Sequence, residues 1–142
     1  MRLMLCRIIA ATVVMTAGAA QAGGNAESGA KAFKKCMACH KVGPDAKNLV
    51  GPILNGIVGR PAGMAKDYAY SQLNIDAGVN GLVWSEDMLF AYLADPTKFL
   101  QTFLTDKGKA DLAVGRSKMV FKLANETERR DLIAYLATFP AP

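Results

Sequence analysis

The most constraining feature of the sequence is the segment Cys36-Met37-Ala38-Cys39-His40, which places two thiols and an imidazole within five residues. Cysteines three positions apart lie about one helical turn from each other, so both thiols can reach one bound group. The imidazole follows the second thiol directly, and His40 is the only histidine of the chain. C-x-x-C-H is the attachment signature of a c-type haem. In that chemistry the thiols add to the two porphyrin vinyl groups, and the imidazole becomes an axial ligand of the iron.

The first 22 residues have the pattern of a cleavable export signal. Arg2 and Arg7 precede an uncharged run of 13 residues, Ile8–Ala20, and a small-x-small site ends at Ala22. A membrane-spanning helix needs about 20 predominantly apolar residues, so a signal peptide is favoured over an anchor or a buried core helix. We therefore expect residues 1–22 to be removed, residues 23–142 to form one domain, and the mature protein to be periplasmic.

Removal of the export signal changes the net charge and the number of cysteines, and both numbers help to decide what kind of site the chain can form. Without it the basic residues fall from 17 to 15 against 12 acidic ones, a net charge of +3 that is too mild to suggest nucleic-acid binding. Cys6 is lost as well, so Cys36, Cys39 and His40 are the only thiol and imidazole groups left. A structural zinc site needs four ligands, and a thioredoxin-type disulfide normally lies in a βαβ unit, for which there is no pattern. One haem c attached through Cys36 and Cys39 is therefore the prediction.

Apolar spacing and capping residues predict an all-α domain with three helices. The first covers about residues 26–35, the second runs from Ser85 to Ala94 before Asp95-Pro96, and the third runs from Asn125 to before Pro140. Between the first two lies a long segment, residues 42–83, which holds more than half of the 13 glycines and shows no strand periodicity. Such a loop needs something other than secondary structure to organise it, and we expect the haem to do so.

The second axial ligand of the iron remains open from the residues alone, because there is no second histidine. Met37 lies inside the attachment loop, and Met88 is expected to be a core residue of the second helix. Met119, in a loop before the last helix, is the favoured candidate, Met64 is the second, and an open or lysine-ligated iron is the third. A Met/His pair would raise the reduction potential and fill both axial positions. This arrangement favours electron transfer, whereas an open site would indicate a haem enzyme or a gas-binding protein.

At this point the chain resembles the class I cytochromes c, and specifically the bacterial cytochrome c2 type, over essentially all of residues 23–142. The resemblance rests on separate motifs that occur in the order of the family. These are Gly29 and Phe33 before the haem motif, the run Gly51–Gly56, Gly59-Arg60, Tyr70-Ser71, Trp84, Tyr92-Leu93 with Pro96, Ser117–Phe121, and Asp131–Leu136. It implies the class I cytochrome c fold, with helices and long loops around one covalent haem, and it implies that Met119 is the second axial ligand.

The resemblance also implies roles around the haem. The Pro52 carbonyl would accept the Nδ1 proton of His40, which orients the imidazole. Arg60, Tyr70 and Trp84 match residues that hold the haem propionates. The hydroxyl of Tyr92 would lie near the methionine sulfur, and Asn74 and Ser117 would belong to a polar network around Tyr92. Gly29 would allow the first and last helices to cross closely.

The function implied by the resemblance is one-electron transfer, not enzyme catalysis. The donor would be a membrane quinol–cytochrome c oxidoreductase, and the acceptor a photosynthetic reaction centre or a cytochrome c oxidase. A set of lysines, each next to a haem-contacting segment, would rim the haem edge and dock these partners, and the protein would be a monomer. The docking lysines are Lys35, Lys98, Lys118 and Lys122. The chain departs from shorter family members by an insertion at residues 101–114.

Overall fold

The structure, a computed structural model, describes residues 23–142, and the predicted export signal at residues 1–22 lies outside them. Within residues 23–142 the regular elements are helices, and the β-pairing is limited to an isolated bridge between Pro61 and Val83. The five α-helices are α1 (Ala26–Phe33), α2 (Gln72–Val79), α3 (Glu86–Ala94), α4 (Pro96–Asp106) and α5 (Glu126–Leu136). A 3₁₀ turn at Ala110–Leu112 follows α4. The all-α expectation is confirmed. None of the helices in the described part is long and apolar enough to cross a membrane.

Each of the three predicted helices is preceded by a residue whose side chain caps the first helical turn. Asn25 accepts a hydrogen bond from the Ser28 amide at 2.8 Å, and Ser85 accepts one from the Met88 amide at 3.2 Å. Asn125 accepts from the Glu128 amide at 2.9 Å. Each bond satisfies an amide that has no partner inside its own helix, so these local signals place the starts of α1, α3 and α5 correctly.

Two further helices lie where the sequence predicted none. α2 lies inside the predicted loop 42–83; it is short, and its exposed residue Val79 breaks the apolar pattern. α4 begins at Pro96, which we took only as the end of the preceding helix. Asp95 caps α4 by accepting the Lys98 amide at 3.2 Å, and proline at the first helical position is favourable because its missing N–H would have no partner there. Met88 is also not a core residue, since 36% of it is exposed.

α1 and α5 cross closely at Gly29, as the family resemblance implied. A Cβ on Gly29 would lie 1.9 Å from the Asp131 carbonyl oxygen and 2.7 Å from Tyr135 Cβ, so only glycine fits at this contact. The Phe33 and Tyr135 rings pack nearby, with centroids 5.5 Å apart. The crossing fixes the end of α1, and Cys36 follows three residues after that end.

The second half of α4 falls in the predicted insertion, and α4 contributes to the core. Leu100 and Leu104 of α4 are fully buried, and α4 packs against α2 and α3. Phe99 of α4 contacts the aromatic residues of the core, with ring centroids 6.1 Å from Trp84 and 6.0 Å from Tyr92. Trp84 and Tyr92 also line the large cleft described below. α4 therefore supports one wall of the cleft from behind.

Candidate haem site

A deep, mostly apolar cleft runs between the loop after α1 and the loop before α5. One wall carries Cys36, Cys39 and His40, and Met119 lines the same cleft. Apolar side chains from several elements form much of the rest of the lining, and a few polar groups interrupt it. The apolar lining includes Phe33, Leu54, Ile57, Trp84, Leu89, Leu93, Leu132 and Leu136.

The two thiols lie on a helix-like turn that continues α1. The Cys36 amide donates to the Phe33 carbonyl at 2.8 Å, and the amides of Cys39 and His40 both donate back to the Cys36 carbonyl, at 3.0 and 2.9 Å. Both cysteines are half-buried, and they are not joined in a disulfide. Burial raises the pKa of the Cys36 thiol to about 11, and Lys35 opposes this shift. The turn holds both sulfurs at the cleft, so a single flat ligand can bond to both.

The His40 ring is fixed by the loop that follows it. Its Nδ1 lies 2.7 Å from the Pro52 carbonyl oxygen, which requires Nδ1 to carry the proton and leaves Nε2 as a free lone pair. Burial lowers the pKa of His40, and the bond to Pro52 opposes this shift. A Cβ on Gly51 would lie 2.3 Å from Cε1 and 2.7 Å from both ring nitrogens of His40. The imidazole therefore rests on a backbone position that only glycine can occupy.

Met119 is held by hydroxyl groups of neighbouring elements. Its amide donates to Ser117 Oγ at 3.2 Å, and Ser117 Oγ lies 3.2 Å from the Tyr92 hydroxyl. The Ser117 amide donates to Thr97 Oγ1 of α4 at 3.1 Å. Burial raises the pKa of Tyr92 to about 12, so its phenol is protonated at neutral pH. The other candidate, Met64, is 69% exposed and does not line the cleft.

The cleft lining also contains residues with polar groups, namely Arg60, Tyr70, Trp84 and Asn74. The Arg60 terminal nitrogens donate to the carbonyls of Ile53 at 3.0 Å and Asn55 at 3.3 Å. Within residues 23–142, Arg60 Nε and Asn74 Oδ1 are buried without a hydrogen-bond partner. The Tyr70 hydroxyl accepts the Ala65 amide at 3.2 Å. These residues therefore offer polar groups to a ligand within a mostly apolar lining.

The proteins similar to this chain include several cytochromes c2. No protein-family model matches the chain. Cytochrome c2 iso-1 of Rhodospirillum centenum is 57% identical over 116 residues, which cover 82% of this chain and 97% of that protein. Cytochrome c2 of Rhodopseudomonas palustris is 52% identical over 131 residues, covering 89% and 92%. The chain belongs to the cytochrome c2 family.

Solved structures agree with this assignment. The structure of cytochrome c2 from Rhodospirillum centenum matches with a TM-score of 0.82 at 53% identity, covering 83% of this chain and all of that one. Ferricytochrome c2 from Rhodopseudomonas palustris matches with a TM-score of 0.77 at 56% identity, covering 81% and 98%. The class I cytochrome c fold implied by the motifs is confirmed. As a cytochrome c2, the protein is an electron carrier, not an enzyme, and it binds one haem c covalently through Cys36 and Cys39.

The cleft of this cytochrome c2 fits a haem. Haem is a flat apolar ring that carries two carboxylates, and the cleft has a mostly apolar lining that includes Arg60, whose buried Nε–H lacks a partner. The thiols lie at the wall that carries the imidazole, as attachment through both sulfurs requires. The donor set of imidazole nitrogen and thioether sulfur is one that haem iron accepts.

Two features of this cytochrome c2 site escaped sequence reasoning. The packing of Gly51 against His40 was missed, because the run Gly51–Gly56 served only as a family motif. Tyr68 was missed although it lines the cleft and its ring packs on Tyr70, with centroids 4.7 Å apart. The signal that could have found Tyr68 is its position two residues before Tyr70, since alternate residues of an extended segment share one face.

Proposed function

We propose that this cytochrome c2 is a periplasmic one-electron shuttle with His40 and Met119 as the two axial ligands of its haem. The observation that supports this is the placement of both side chains on one cleft. The bound haem supplies the redox chemistry, in which its iron alternates between the ferrous and ferric states. Two protein ligands on the iron leave no position for a substrate, which favours electron transfer over catalysis.

The residues around the axial pair would tune and orient it. The Pro52 carbonyl keeps the proton on His40 Nδ1 and so directs Nε2 into the cleft. The hydroxyls of Ser117 and Tyr92 fix the loop that carries Met119. None of these groups transfers a proton in the proposed function; their work is to keep both ligands in place in either oxidation state.

Arg60, Tyr70 and Trp84 would hold the propionate edge of the haem. Two of the five N–H groups of Arg60 are engaged by the carbonyls of Ile53 and Asn55, and its buried Nε, which has no partner, is available to a carboxylate. A charge-assisted bond from Nε would satisfy a buried donor that is otherwise costly. Backbone bonds on both sides also fix the guanidinium plane before the haem binds.

The four proposed docking lysines fall into two neighbouring groups. Lys35 and Lys118 line the haem cleft, whereas Lys98 and Lys122 line a shallower cleft beside it that shares Met119 and Val120 with the first. Lys35 pairs with Glu128 at 2.5 Å, and Lys122 pairs with Asp95 at 2.6 Å. Such exposed pairs are weak, so an acidic partner could replace the internal carboxylates at little cost.

We propose that these lysines steer the protein to acidic surfaces of its redox partners. The donor would be a membrane quinol–cytochrome c oxidoreductase, and the acceptor would be a photosynthetic reaction centre or cytochrome c oxidase. Stopped-flow reduction by the donor complex tests this proposal. The second-order rate constant should fall steeply with salt, because charges are screened over about 8 Å at 0.15 M ionic strength.

Single Lys→Glu substitutions give a matched comparison, because each changes the net charge equally. Reversal at Lys35, Lys98, Lys118 or Lys122 should slow reduction far more than reversal at the control positions Lys66 or Lys109. A rate that does not depend on salt, or equal slowing by both sets, would contradict a localised docking surface.

Export and processing are part of the same proposal. Residues 1–22 would direct the chain to the periplasm and be removed after Ala22, so that the mature protein begins at Gly23. Mass spectrometry of haem-containing protein from a periplasmic extract would show the mass of residues 23–142 plus one haem. Haem-containing protein that retains residues 1–22 would contradict the cleavage.

A further inference from the structure

The predicted insertion, residues 101–114, begins and ends at one hydrogen bond. The side-chain amide of Gln101 donates to the Gly115 carbonyl at 3.0 Å. Gln101 is the first residue of the insertion, and Gly115 is the first residue after it. Gly115 has a positive φ of 83°, which glycine adopts without the strain that other residues incur. The insertion therefore leaves α4 and returns to the residue at which it started.

Between its two ends the insertion folds back on α4. The helix ends in a Schellman motif, in which the Lys109 amide donates to the Leu104 carbonyl at 2.8 Å. The 3₁₀ turn Ala110–Leu112 then packs against α4, and Leu112 is half-buried against the hydrophobic core. The insertion is thus a closed excursion of the chain, and residues 115–119 start again from the surface of α4.

A second hydrogen bond from α4 lies beside the first. The hydroxyl of Thr97 accepts the Ser117 amide at 3.1 Å, and Thr97 is four residues before Gln101 in α4. Residues four apart lie on one face of a helix, so two neighbouring side chains of α4 hold the backbone at positions 115 and 117. Both side chains line the shallower cleft, which shares Met119 with the haem cleft.

From these contacts we infer that Gln101 is a positioning residue that closes the insertion and so keeps Met119 on a short, anchored segment. The inference rests on the proposed function in one respect, namely that Met119 is an iron ligand. Loss of the bond to Gly115 would let the insertion open together with the segment that carries Met119. A longer loop gains more conformational freedom on opening, so the open state would be favoured.

Titration of the ferric holoprotein with free imidazole tests the role of Gln101. Imidazole reaches the iron only after Met119 leaves, so its apparent affinity rises with the population of the open state. Gln101→Leu removes the donor and keeps a good helix former. Loss of one hydrogen bond should raise the apparent affinity for imidazole roughly fivefold. Thr97→Val, which loses the neighbouring bond, should raise it by at least as much, because the Ser117 amide is then left without a partner.

Gln72→Leu is the matched control, since the Gln72 amide donates to Asp76 Oδ1 at 2.8 Å and Gln72 lines neither cleft. It should bind imidazole with wild-type affinity, although urea titration followed by circular dichroism should give both leucine variants a similar, small loss of stability.

A rise of less than about twofold in Gln101→Leu is below the smallest effect of a lost hydrogen bond and would overturn the inference, as would an equal rise in Gln72→Leu. Met119→Ala separates this outcome from failure of the proposed function. If Met119→Ala bound imidazole no more tightly than wild type, Met119 would not be the ligand, whatever Gln101→Leu did.

Discussion

His40 is held by residues close to it in the chain, whereas Met119 is held from far away. The amide of His40 bonds to Cys36, and its ring bonds to Pro52, 12 residues on. Ser117 and Lys118, the residues before Met119, contact Thr97, Tyr92 and Ala69, which are 20, 25 and 49 residues distant. Long-range contacts form only when the whole domain is assembled, so they are lost first when the domain loosens.

This contrast suggests a division of work between the two walls. The wall of His40 carries the covalent bonds and fixes the haem in one orientation. The wall of Met119 depends on hydroxyl groups, one lysine and the packing of α4, so under the proposed ligation this wall would control access to the iron. A carrier that never needs to admit a substrate still benefits from a fixed wall, because both oxidation states then share one geometry.

The largest expected effect follows from replacing the two cysteines that attach the haem. The double substitution Cys36→Ala with Cys39→Ala should leave a largely unfolded chain, because the core is built around a ligand-sized cleft. Far-UV circular dichroism and urea titration would show little helix and no cooperative transition. Met119→Ala is the control from the opposite wall and should keep both the haem and a cooperative transition. A cooperatively folded, haem-free double variant would contradict the contrast.

A smaller effect is expected from a single methyl group at Gly51. Gly51→Ala would press its Cβ into the His40 ring. Gly78→Ala would place a Cβ 2.0 Å from the carbonyl oxygen of Ala62, and neither Gly78 nor Ala62 lines the cleft. Each should lower the free energy of unfolding by about 1–3 kcal/mol. Only Gly51→Ala should also shift the reduction potential and the visible spectrum. If Gly78→Ala shifted them equally, the effect would report general loosening and not the position of the imidazole.

The smallest effect concerns Asp95, which caps α4 and pairs with Lys122, three residues after Met119. The bond to the Lys122 side chain, with help from the Lys98 amide, lowers the pKa of Asp95. The pair therefore adds stability above the unfolded pKa of about 3.9, and this contribution is lost as pH falls through the lower folded pKa.

Asp95→Asn keeps a side-chain oxygen for the cap and removes the charge. The variant should be slightly less stable than wild type in urea at pH 7, and the difference should disappear at acid pH. Asp111→Asn, in the exposed turn after α4, should match wild type at both pH values. A difference for Asp95→Asn that persists unchanged in acid would show that the ion pair is not its source.

Local chemistry explains which parts of the fold could be predicted. The starts of α1, α3 and α5 depend on a capping residue and its neighbours, which a sequence displays directly. α4 was missed because Asp95-Pro96 indicates both the end of one helix and the start of the next, and only the first meaning was used. α2 was missed because its apolar residues are divided between the core and the surface.

The cleft shows the same limit. The motif and the family resemblance predicted that Cys36, Cys39, His40 and Met119 would meet, and all four line one cleft. The hydrogen bonds from Arg60 to two backbone carbonyls and the contact of Gly51 with His40 depend on how separate loops fold against each other. No spacing in the sequence encodes such contacts. The axial and propionate roles of these residues stay predictions.

The near-infrared absorption of the ferric protein tests the central claim most directly, since a weak band there reports a bond between a methionine sulfur and ferric haem iron. Wild-type protein, Met64→Ala and Met119→Ala should be compared after expression in the periplasm. The account predicts the band in wild type and in Met64→Ala, and its loss in Met119→Ala with the haem still attached and the reduction potential lowered. A band that survives in Met119→Ala, or is absent from wild type, would contradict it.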